Sequence, residues 1–310
     1  MLDPALALGG AVHFYSLNSD LTPQVESIRA LLAEPRLDIK ALVVPHYFGF
    51  EQPDAPMRAM AQLCREHGVM LIEDCSHSWM VAMQRALQCH AITGHMVVAS
   101  PYKFFACADG GTLWGHPAEL AAAPSSQGLP GEMRALVAAL QQCMGGAPSV
   151  FGDGLALSQT PGGSTGEDRR ESSDQPSGLF SRALERTASL AASRWVMRRT
   201  KITPAVRRRR DNYRTWASAI GGLPGARALF PELPPGCAPY MFPLYVSAPD
   251  PHFFTLKQAG MPIWRWDDMA VSDCPVASEY RLHLLHLPCH QGLGARQMQW
   301  MTDTVAKVLA

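Results

Sequence analysis

The chain has 310 residues, of which 47% are hydrophobic and 17% are charged, enough apolar material to bury a full core. Its 27 basic and 27 acidic residues cancel, so the overall charge favours neither nucleic acid nor an anionic membrane as a partner. An anionic ligand would have to be held by a local site.

The cysteines and histidines give no metal or disulfide pattern. The eight cysteines include no Cys-x-x-Cys pair, which argues against a structural zinc site and a disulfide framework. The eleven histidines lack metal-ligand spacing, so we expect no metal. We see no export signal and no apolar run of membrane-spanning length, and therefore expect no membrane partner. These features predict a cytoplasmic protein with reduced cysteines.

In chain order, short apolar runs alternate with helical patterns. One helix is expected to start at Thr22-Pro23, and a second is expected to run from Asp54 to a stop at Gly68. Continuous apolar strands separated by amphipathic helices predict an α/β fold with a mostly parallel sheet covered on both faces. The predicted strands are AVHFY (11–15), ALVVP (41–45), VMLIE (69–73), HMVVAS (95–100) and GGTLWG (110–115).

Lys103 lies in an apolar and aromatic run, between Tyr102 and the pair Phe104 and Phe105. Burying an ammonium group is costly unless it meets an anion or loses its proton, which makes Lys103 a candidate amine nucleophile. The alternative is a lysine that lays its stem on apolar surface and keeps its charge in water.

Asp74 follows the predicted strand VMLIE directly, at the end where parallel sheets bind their ligands. A carboxylate there is either a helix cap or loop residue, or part of a site. A cofactor with a pyridine ring needs an acid near its ring nitrogen and a lysine that holds its aldehyde as a Schiff base. The order of Asp74, another strand, Lys103 and the glycines at 110–111 favours such a site.

Two segments, LIEDCSHSW (71–79) and ASPYKFFACADGGTLW (99–114), together resemble the DegT/DnrJ/StrS family of sugar aminotransferases. These are fold-type-I enzymes that use pyridoxal 5′-phosphate (PLP). The resemblance implies a mostly parallel sheet in a large domain and a smaller C-terminal α/β domain. Further similar segments follow the family's order: VVPHYFG (43–49), RRRRDNYRTW (207–216), PYMFPLYV (239–246) and LLHLPCH (284–290).

The resemblance also implies roles for individual residues. Lys103 would hold the PLP aldehyde and move a proton between the substrate carbon and the cofactor C4′. Asp74 would pair with the pyridinium nitrogen. His77 stands where the family has Gln or His near the ring hydroxyl, although a plain loop histidine is the alternative. Ser100 could help to hold the phosphate, but it lies closer to Lys103 than the family's usual serine, whose position Val98 occupies.

The chain also departs from the family pattern. Relatives begin with a segment whose Gly-Thr or Gly-Ser turn holds the cofactor phosphate, and this sequence starts after that point, so we expect an N-terminal truncation. The family's GxNxR stretch is not visible, and residues 158–178, rich in Ser, Gly, Pro and charge, are typical of a mobile loop or linker. We therefore predict a large PLP-binding domain at 1–157, a linker at 158–178 and a small domain at 179–310.

Two further motifs each have two interpretations. RRRR (207–210) fits a solvated helix face or a site for the phosphates of a nucleotide sugar. In PIWRWDD (262–268), Arg265 could bind a substrate carboxylate or phosphate and Trp264 could stack on a sugar or base, whereas a turn of the small domain is the alternative.

The activity implied by the resemblance is transfer of an amino group, from glutamate as donor, to a keto sugar linked to a nucleotide. A homodimer with sites at its interface, and a role in polysaccharide or modified-sugar synthesis, are implied with it. Two alternatives remain: another PLP reaction on the same fold, such as a dehydratase or lyase step, and a catalytically degenerate, non-enzymatic member of the family.

Overall fold

A computed structural model describes residues 2–87, 94, 96–107, 109–115, 124–133, 181–267 and 269–310. The chain forms two compact units, each built from separate stretches of sequence. The first unit contains Met1–Phe14, Ser100–Thr112 and His116–Thr200, and the second contains Tyr15–Ala99, Leu113–Gly115 and Lys201–Ala310. The predicted linker at 158–178, and the boundaries at 157 and 179, lie outside the described residues and stay predictions.

The N-terminal part of the second unit contains a four-stranded sheet with the strand order β1-β2-β3-β4. Its strands are β1 (Ala41–Pro45), β2 (Met70–Asp74), β3 (Met96–Ala99) and β4 (Thr112–Trp114). β1 pairs with β2, and β2 with β3, in parallel. The four corresponding predicted strands are confirmed, and so is the expected α/β architecture with parallel pairing.

The prediction of a strand at residues 11–15 is wrong. The structure shows irregular backbone there, apart from a single bridge between Leu17 and Pro23 further along the chain. Phe14 keeps 41% of its side chain exposed, and the Tyr15 hydroxyl donates a hydrogen bond to the Val43 carbonyl at 3.1 Å. The run looked strand-like because it is apolar, but no described strand pairs with it.

Two helices cover one part of this sheet, α2 (Val25–Ala33) and α3 (Asp54–His67). α3 ends at Gly68, which adopts the left-handed conformation (φ 67°) that glycine tolerates best, as the sequence predicted. The apolar faces of the helices and strands form one core cluster, which contains Ile28, Leu42, Val44, Met57, Met60, Ala61, Leu63, Cys64, Val69 and Leu71. The remaining helix of this region is α4 (Trp79–Leu87).

A second, antiparallel sheet lies in the C-terminal part of the same unit, with the order β5-β6-β7. All five residues of its last strand are buried, so this sheet is the core of the region. The strands are β5 (Ala226–Ala228), β6 (Met241–Val246) and β7 (Leu284–Pro288). The helix α5 (Ala191–Arg199) belongs to the first unit. The helices of the C-terminal region of the second unit are α6 (Ile202–Ile220), α7 (Pro249–Gln258), α8 (Pro275–His283) and α9 (Ala295–Leu309).

The first unit contains α1 (Leu2–Ala7), α5 and two short 3₁₀ turns, Pro101–Lys103 and Arg182–Leu184. Asp109 holds this unit together, because its carboxylate accepts hydrogen bonds from the Leu190 amide at 3.0 Å and the Gln127 side chain at 2.9 Å. The acid that follows Lys103 in sequence is therefore a structural residue of its own unit.

The six cysteines in the described part of the chain are free thiols. Among the described residues, the helices are all too short or too polar to cross a membrane.

Candidate active site

The carboxyl ends of the first three strands lie level with one another in the second unit. Pro45 is in register with Asp74, and the His46 amide donates a hydrogen bond to the Asp74 carbonyl at 3.0 Å. On the other side, the Cys75 amide donates to the Val98 carbonyl at 2.7 Å. Asp74 thus sits at the edge of the sheet where the ligands of parallel sheets bind.

The Asp74 carboxylate has one oxygen without a donor among the residues that the structure describes. Oδ1 accepts the Ser76 amide at 2.9 Å, and no described residue donates to Oδ2. Tyr15 and Tyr47 lie close to this carboxylate: burial raises the pKa of both phenols, and the negative charge of Asp74 raises it further. A half-buried carboxylate with an unfilled oxygen fits the N–H of a protonated pyridine ring.

His77 lies three residues beyond Asp74 and is oriented by aromatic stacking. Its ring stacks on Tyr240, with centroids 4.5 Å apart and planes 23° apart, and lies 6.0 Å from the ring of Phe48. The Tyr240 amide in turn donates to the Phe48 carbonyl at 2.7 Å. The C-terminal sheet region therefore holds His77 from one side.

The turn Tyr47–Gly49 carries an unusual backbone conformation next to these rings. Phe48 has φ 57° and ψ 14°, the left-handed region that costs energy for a residue with a side chain, and it is fully buried. Gly49 (φ 92°) approaches the backbone at 238–240 so closely that a Cβ atom there would lie 2.2 Å from the Ala238 carbonyl oxygen. The turn is thus fixed against the C-terminal region by backbone contact.

The aromatic residue of PIWRWDD that joins this group is Trp266, which the sequence analysis did not assign to the site. Its ring stacks on Phe48 at 5.1 Å and meets Tyr47 and His286 edge-on at 5.7 and 4.9 Å. Tyr47 and Trp266 are only partly buried. The apolar face beside Asp74 is therefore lined by aromatic rings. In the sequence, only the alternation in IWRW could have indicated a role for Trp266, because in an extended segment it places Trp264 and Trp266 on the same side of the chain.

Trp264 and Arg265, the predicted substrate-binding residues, have partners within the protein. Arg265 is bound by Asp267 at 2.7 Å and by Asp250 at 3.2 Å, and its guanidinium lies 4.2 Å from the ring centroid of Phe253. Trp264 forms a backbone bridge with His286. These contacts hold the turn together, and a role in substrate binding stays a prediction.

A buried cluster on the other face of the strand ends was not found from the sequence, because its members are far apart in the chain. His46 Nε2 lies 3.0 Å from Glu73 Oε2, and both side chains are almost fully buried. The thiol of Cys75 is the third member, with all three potential ligand atoms within 4.8 Å of one another.

The hydrogen bonds indicate that this cluster holds a proton rather than a metal ion. The Gln52 amide donates to His46 Nδ1 at 2.9 Å, so Nε2 carries the proton that faces Glu73. Burial and the Gln52 amide that faces Nδ1 oppose a second ring proton, whereas hydrogen bonds and charges from Cys75 and Glu73 favour that proton and so raise the pKa of His46. A second ring proton would have to displace the Gln52 amide, a fixed donor, so we describe the imidazole as Nε2-protonated and neutral.

Lys103 and Ser100 lie in the first unit, at the 3₁₀ turn Pro101–Lys103. The Lys103 amide donates to the Ser100 carbonyl at 3.2 Å. Phe104 and Phe105 are buried while Lys103 is only partly buried, so the aromatic side chains pack inside and part of the lysine stays accessible. In sequence, Lys103 comes four residues after β3, the parallel neighbour of the strand that carries Asp74.

Three of the four arginines at 207–210 bind backbone carbonyls of the C-terminal region. Arg209 is 1% exposed and donates to the Pro239 and Tyr240 carbonyls at 3.1 Å and to the Gln291 side chain at 2.6 Å. Arg208 donates to the Leu293 carbonyl at 2.9 Å and Arg210 to the Cys237 carbonyl at 2.8 Å. Arg208, Arg209 and Arg210 thus form a structural clamp that holds these backbone segments together. Neither interpretation of the RRRR run predicted this.

Comparison with known proteins agrees with this architecture. Residues 2–131 match the model of the DegT/DnrJ/EryC1/StrS aminotransferase family. The resemblance expected from the sequence is therefore confirmed over these residues. Members of this family use PLP, so the predicted cofactor and the predicted class, a PLP-dependent aminotransferase, are supported with it. No curated protein matches the chain in sequence.

Solved structures of this family share the fold. A DegT DnrJ EryC1 StrS aminotransferase from Brucella abortus is 18% identical, with a TM-score of 0.62, over 99% of this chain and 76% of its own. PseC of Helicobacter pylori, an aminotransferase of pseudoaminic acid biosynthesis, is 14% identical, with a TM-score of 0.63, over 98% and 75%. A 3-amino-5-hydroxybenzoic acid synthase is 15% identical, with a TM-score of 0.57, over 98% and 76%. The predicted fold-type-I class is confirmed.

Proposed function

We propose that this protein is a PLP-dependent aminotransferase that moves an amino group from glutamate to a keto sugar linked to a nucleotide. The observation that carries the proposal is Asp74 at the carboxyl end of β2, whose half-buried carboxylate has one oxygen that no residue in the described part of the chain fills. The parallel neighbour β3 leads to Lys103, the lysine at the family position. The matched family supports the amino-transfer chemistry, and its sugar-modifying members support the substrate class.

PLP, when bound, supplies an electron sink that stabilises negative charge at the substrate carbon bearing the amino group. Asp74 would keep a proton on the ring nitrogen through its free oxygen. Lys103 would attach the aldehyde and afterwards use Nζ to carry a proton to and from the reacting carbon. His77, held by its stacking on Tyr240, would donate or accept a hydrogen bond at the ring hydroxyl.

The phosphate of the cofactor needs hydrogen-bond donors of its own. Ser100 is our candidate donor, because Val98 stands at the position of the family's usual serine and has no polar side chain. Val98 is also the observation that favours the second candidate function, a family member that binds partners but has lost catalysis. We keep Trp264 and Arg265 as candidate substrate contacts, and expect a cytoplasmic homodimer.

The experiment that tests the proposal is cofactor trapping at Lys103. The purified protein is incubated with PLP, treated with borohydride and digested, and the labelled peptide is identified by mass spectrometry. We expect a visible absorption band and a label on Lys103, both lost in Lys103→Ala. Lys40→Ala is the matched control, because Lys40 is an exposed lysine paired with Asp38 at 2.6 Å. No label on the unmodified protein would favour the non-catalytic candidate.

The substrate class is tested by product analysis. The protein is mixed with glutamate and a panel of nucleotide-linked keto sugars, and 2-oxoglutarate and amino sugar are measured together. Equal amounts of the two products support the proposal. A sugar that loses water or is cleaved without gaining nitrogen would instead support a dehydratase or lyase, which an intact Lys103 also permits. An aromatic ketone is included, since one protein of this fold is named for an aminohydroxybenzoic acid product.

A further inference from the structure

We propose that His46 and Glu73 are positioning residues for Asp74, an inference that rests on the role given to Asp74 in the proposed function. Neither side chain lies on the face of the sheet that Asp74 uses. They act on Asp74 through the strand that Asp74 ends, by fixing its backbone and by keeping the neighbouring negative charge of Glu73 hydrogen-bonded on the buried face.

The backbone geometry links the three residues directly. Glu73 and Asp74 are consecutive in β2, so their side chains point to opposite faces of the sheet. Glu73 is fully buried and Asp74 half-buried. The His46 amide donates to the Asp74 carbonyl at 3.0 Å while its ring reaches Glu73, also at 3.0 Å. His46, the residue after β1, thus forms hydrogen bonds both to the backbone at the end of β2 and to the Glu73 side chain on its buried face.

Glu73 ties a third segment to the same point. Its Oε1 accepts the Gly94 amide at 2.6 Å, two residues before β3 begins. A Cβ atom at position 94 would lie 3.0 Å from Glu73 Cγ, so glycine permits this close approach. Gln52 completes the arrangement by donating its amide to His46 Nδ1 at 2.9 Å and its side chain to the Pro45 carbonyl at 3.0 Å. Both Glu73 oxygens and both ring nitrogens of His46 therefore have partners.

Charge gives the pair its second effect. Loss of its hydrogen-bond donors strongly destabilises a buried carboxylate, so the group either takes up a proton or moves toward water. Glu73 is adjacent to Asp74 in sequence, and an uncompensated charge there would repel the Asp74 carboxylate or shift the strand end. With its donors in place, Glu73 stays on the buried face, and Asp74 offers its own charge to the pyridine nitrogen.

Four variants separate positioning from plain stability. His46→Leu removes the donor to Glu73, and Glu73→Gln removes the carboxylate and places an amide N–H opposite the His46 Nε2 proton. His46→Gln can still donate to Glu73 and accept from Gln52, so it should rescue most of the effect. Met301→Ala is the matched control. Met301 is 1% exposed in α9, so its truncation leaves a buried cavity and lowers stability, but at a position remote in sequence from the strand ends.

The first readout uses the cofactor-free protein. Amide hydrogen exchange is followed at Ser76, whose N–H donates to Asp74 Oδ1. We expect His46→Leu and Glu73→Gln to speed this exchange by roughly tenfold or more beyond any change in global unfolding, and Met301→Ala to leave it within about twofold once global stability is accounted for. Equal behaviour of all these variants would overturn the proposal.

The second readout uses PLP labelled with ¹⁵N in its ring, whose chemical shift reports whether that nitrogen is protonated. We expect a protonated ring in the unmodified protein, Met301→Ala and His46→Gln, and a substantial unprotonated fraction in His46→Leu, Glu73→Gln and the reference variant Asp74→Asn. A protonated ring in every variant except Asp74→Asn would overturn the positioning role. If PLP fails to bind the unmodified protein, the proposed function fails, and the exchange data still decide whether the pair positions Asp74.

Discussion

At the residue scale, the proposed function depends most on the geometry of the Asp74 carboxylate. Oδ1 is held by the Ser76 amide, which fixes the rotamer, and the other oxygen has no donor among the described residues. Tyr15 and Tyr47 lie close enough that, besides burial, the charge of this carboxylate raises the pKa of both phenols. A fixed negative charge in a partly dry environment acts more strongly on a nearby cation than the same charge in water.

Asp74→Asn should separate this electrostatic role from folding. The asparagine Oδ1 can still accept the Ser76 amide, so we expect the unfolding temperature to stay within a few degrees. Loss of the charge should slow the reaction with L-glutamate by roughly 10²–10³-fold. The measurement is the rate at which glutamate removes the absorption of lysine-bound PLP. A rate equal to that of the unmodified protein would show that Asp74 does not support the ring nitrogen.

Sequence reasoning could select as candidates only those residues that stand out from their immediate neighbours in the chain. Lys103 and Asp74 stand out because each breaks an apolar run at a strand end. The pair His46 and Glu73 gave no such signal, because the two residues are 27 positions apart and only the parallel register of β1 and β2 brings them to 3.0 Å. Trp266 was missed for the same reason, since its neighbour Phe48 is remote in sequence.

At the element scale, the turn Tyr47–Gly49 links the sheet that carries Asp74 to the C-terminal region of the same unit. The Phe48 carbonyl accepts the Tyr240 amide at 2.7 Å, and the Gly49 carbonyl accepts the Cys237 thiol at 3.2 Å. The left-handed conformation of Phe48 lets its ring enter the aromatic group. Nothing in the letters VVPHYFG predicts a positive φ at a phenylalanine, because tertiary contacts impose it.

Gly49→Ala should be strongly destabilising, because its new Cβ would lie 2.2 Å from the Ala238 carbonyl oxygen, on top of the cost of a positive φ. We expect a loss of at least about 3 kcal/mol in the free energy of unfolding, measured with urea. Gly222→Ala is the matched control: Gly222 has the same φ of 92° and no atom within 4 Å of its Cβ position. Equal losses in the two variants would mean that the close approach at Gly49 does not matter.

The arginine clamp of α6 also links elements of the fold, and Arg209→Lys should show how much it contributes to the free energy of unfolding. Lysine keeps the charge but cannot place donors on two carbonyls and Gln291 at once, so we expect a loss of about 2–4 kcal/mol in unfolding free energy. Arg207→Lys, two positions earlier on an exposed side chain, should change it by less than about 0.5 kcal/mol. Thermal and urea unfolding check both variants, and a harmless Arg209→Lys would contradict the clamp.

At the scale of the whole molecule, the sequence predicted the parallel sheet well and the C-terminal region mainly through family resemblance. Buried parallel strands are short continuous apolar runs, and β1 to β4 appear as such in the letters. The run at 11–15 has the same composition but lies where no described strand pairs with it, which composition cannot reveal. The clamp of Arg208, Arg209 and Arg210 was invisible because an arginine run on an isolated helix is normally solvated.

Acid should destabilise the second unit through His290, which follows β7 and is 6% exposed. Its Nδ1 accepts the Gly292 amide at 3.2 Å, while burial, followed by the charge of Arg209, lowers its pKa from 6.5 to about 4. A lowered folded pKa means that the unfolded chain takes up this proton first. The stability contributed by neutral His290 is therefore complete above pH 6.5 and is lost as the pH falls toward 4.

His290→Asn isolates this contribution, because the asparagine oxygen can accept the same amide two residues on but does not titrate. We expect the unmodified protein to lose about 2–3 kcal/mol more unfolding free energy than the variant between pH 7.5 and pH 4.5, measured by urea titration at each pH. Carboxylates that also titrate in this range are common to both proteins and cancel in the comparison. Parallel losses in the two proteins would show that His290 is not kept neutral by its burial beside Arg209.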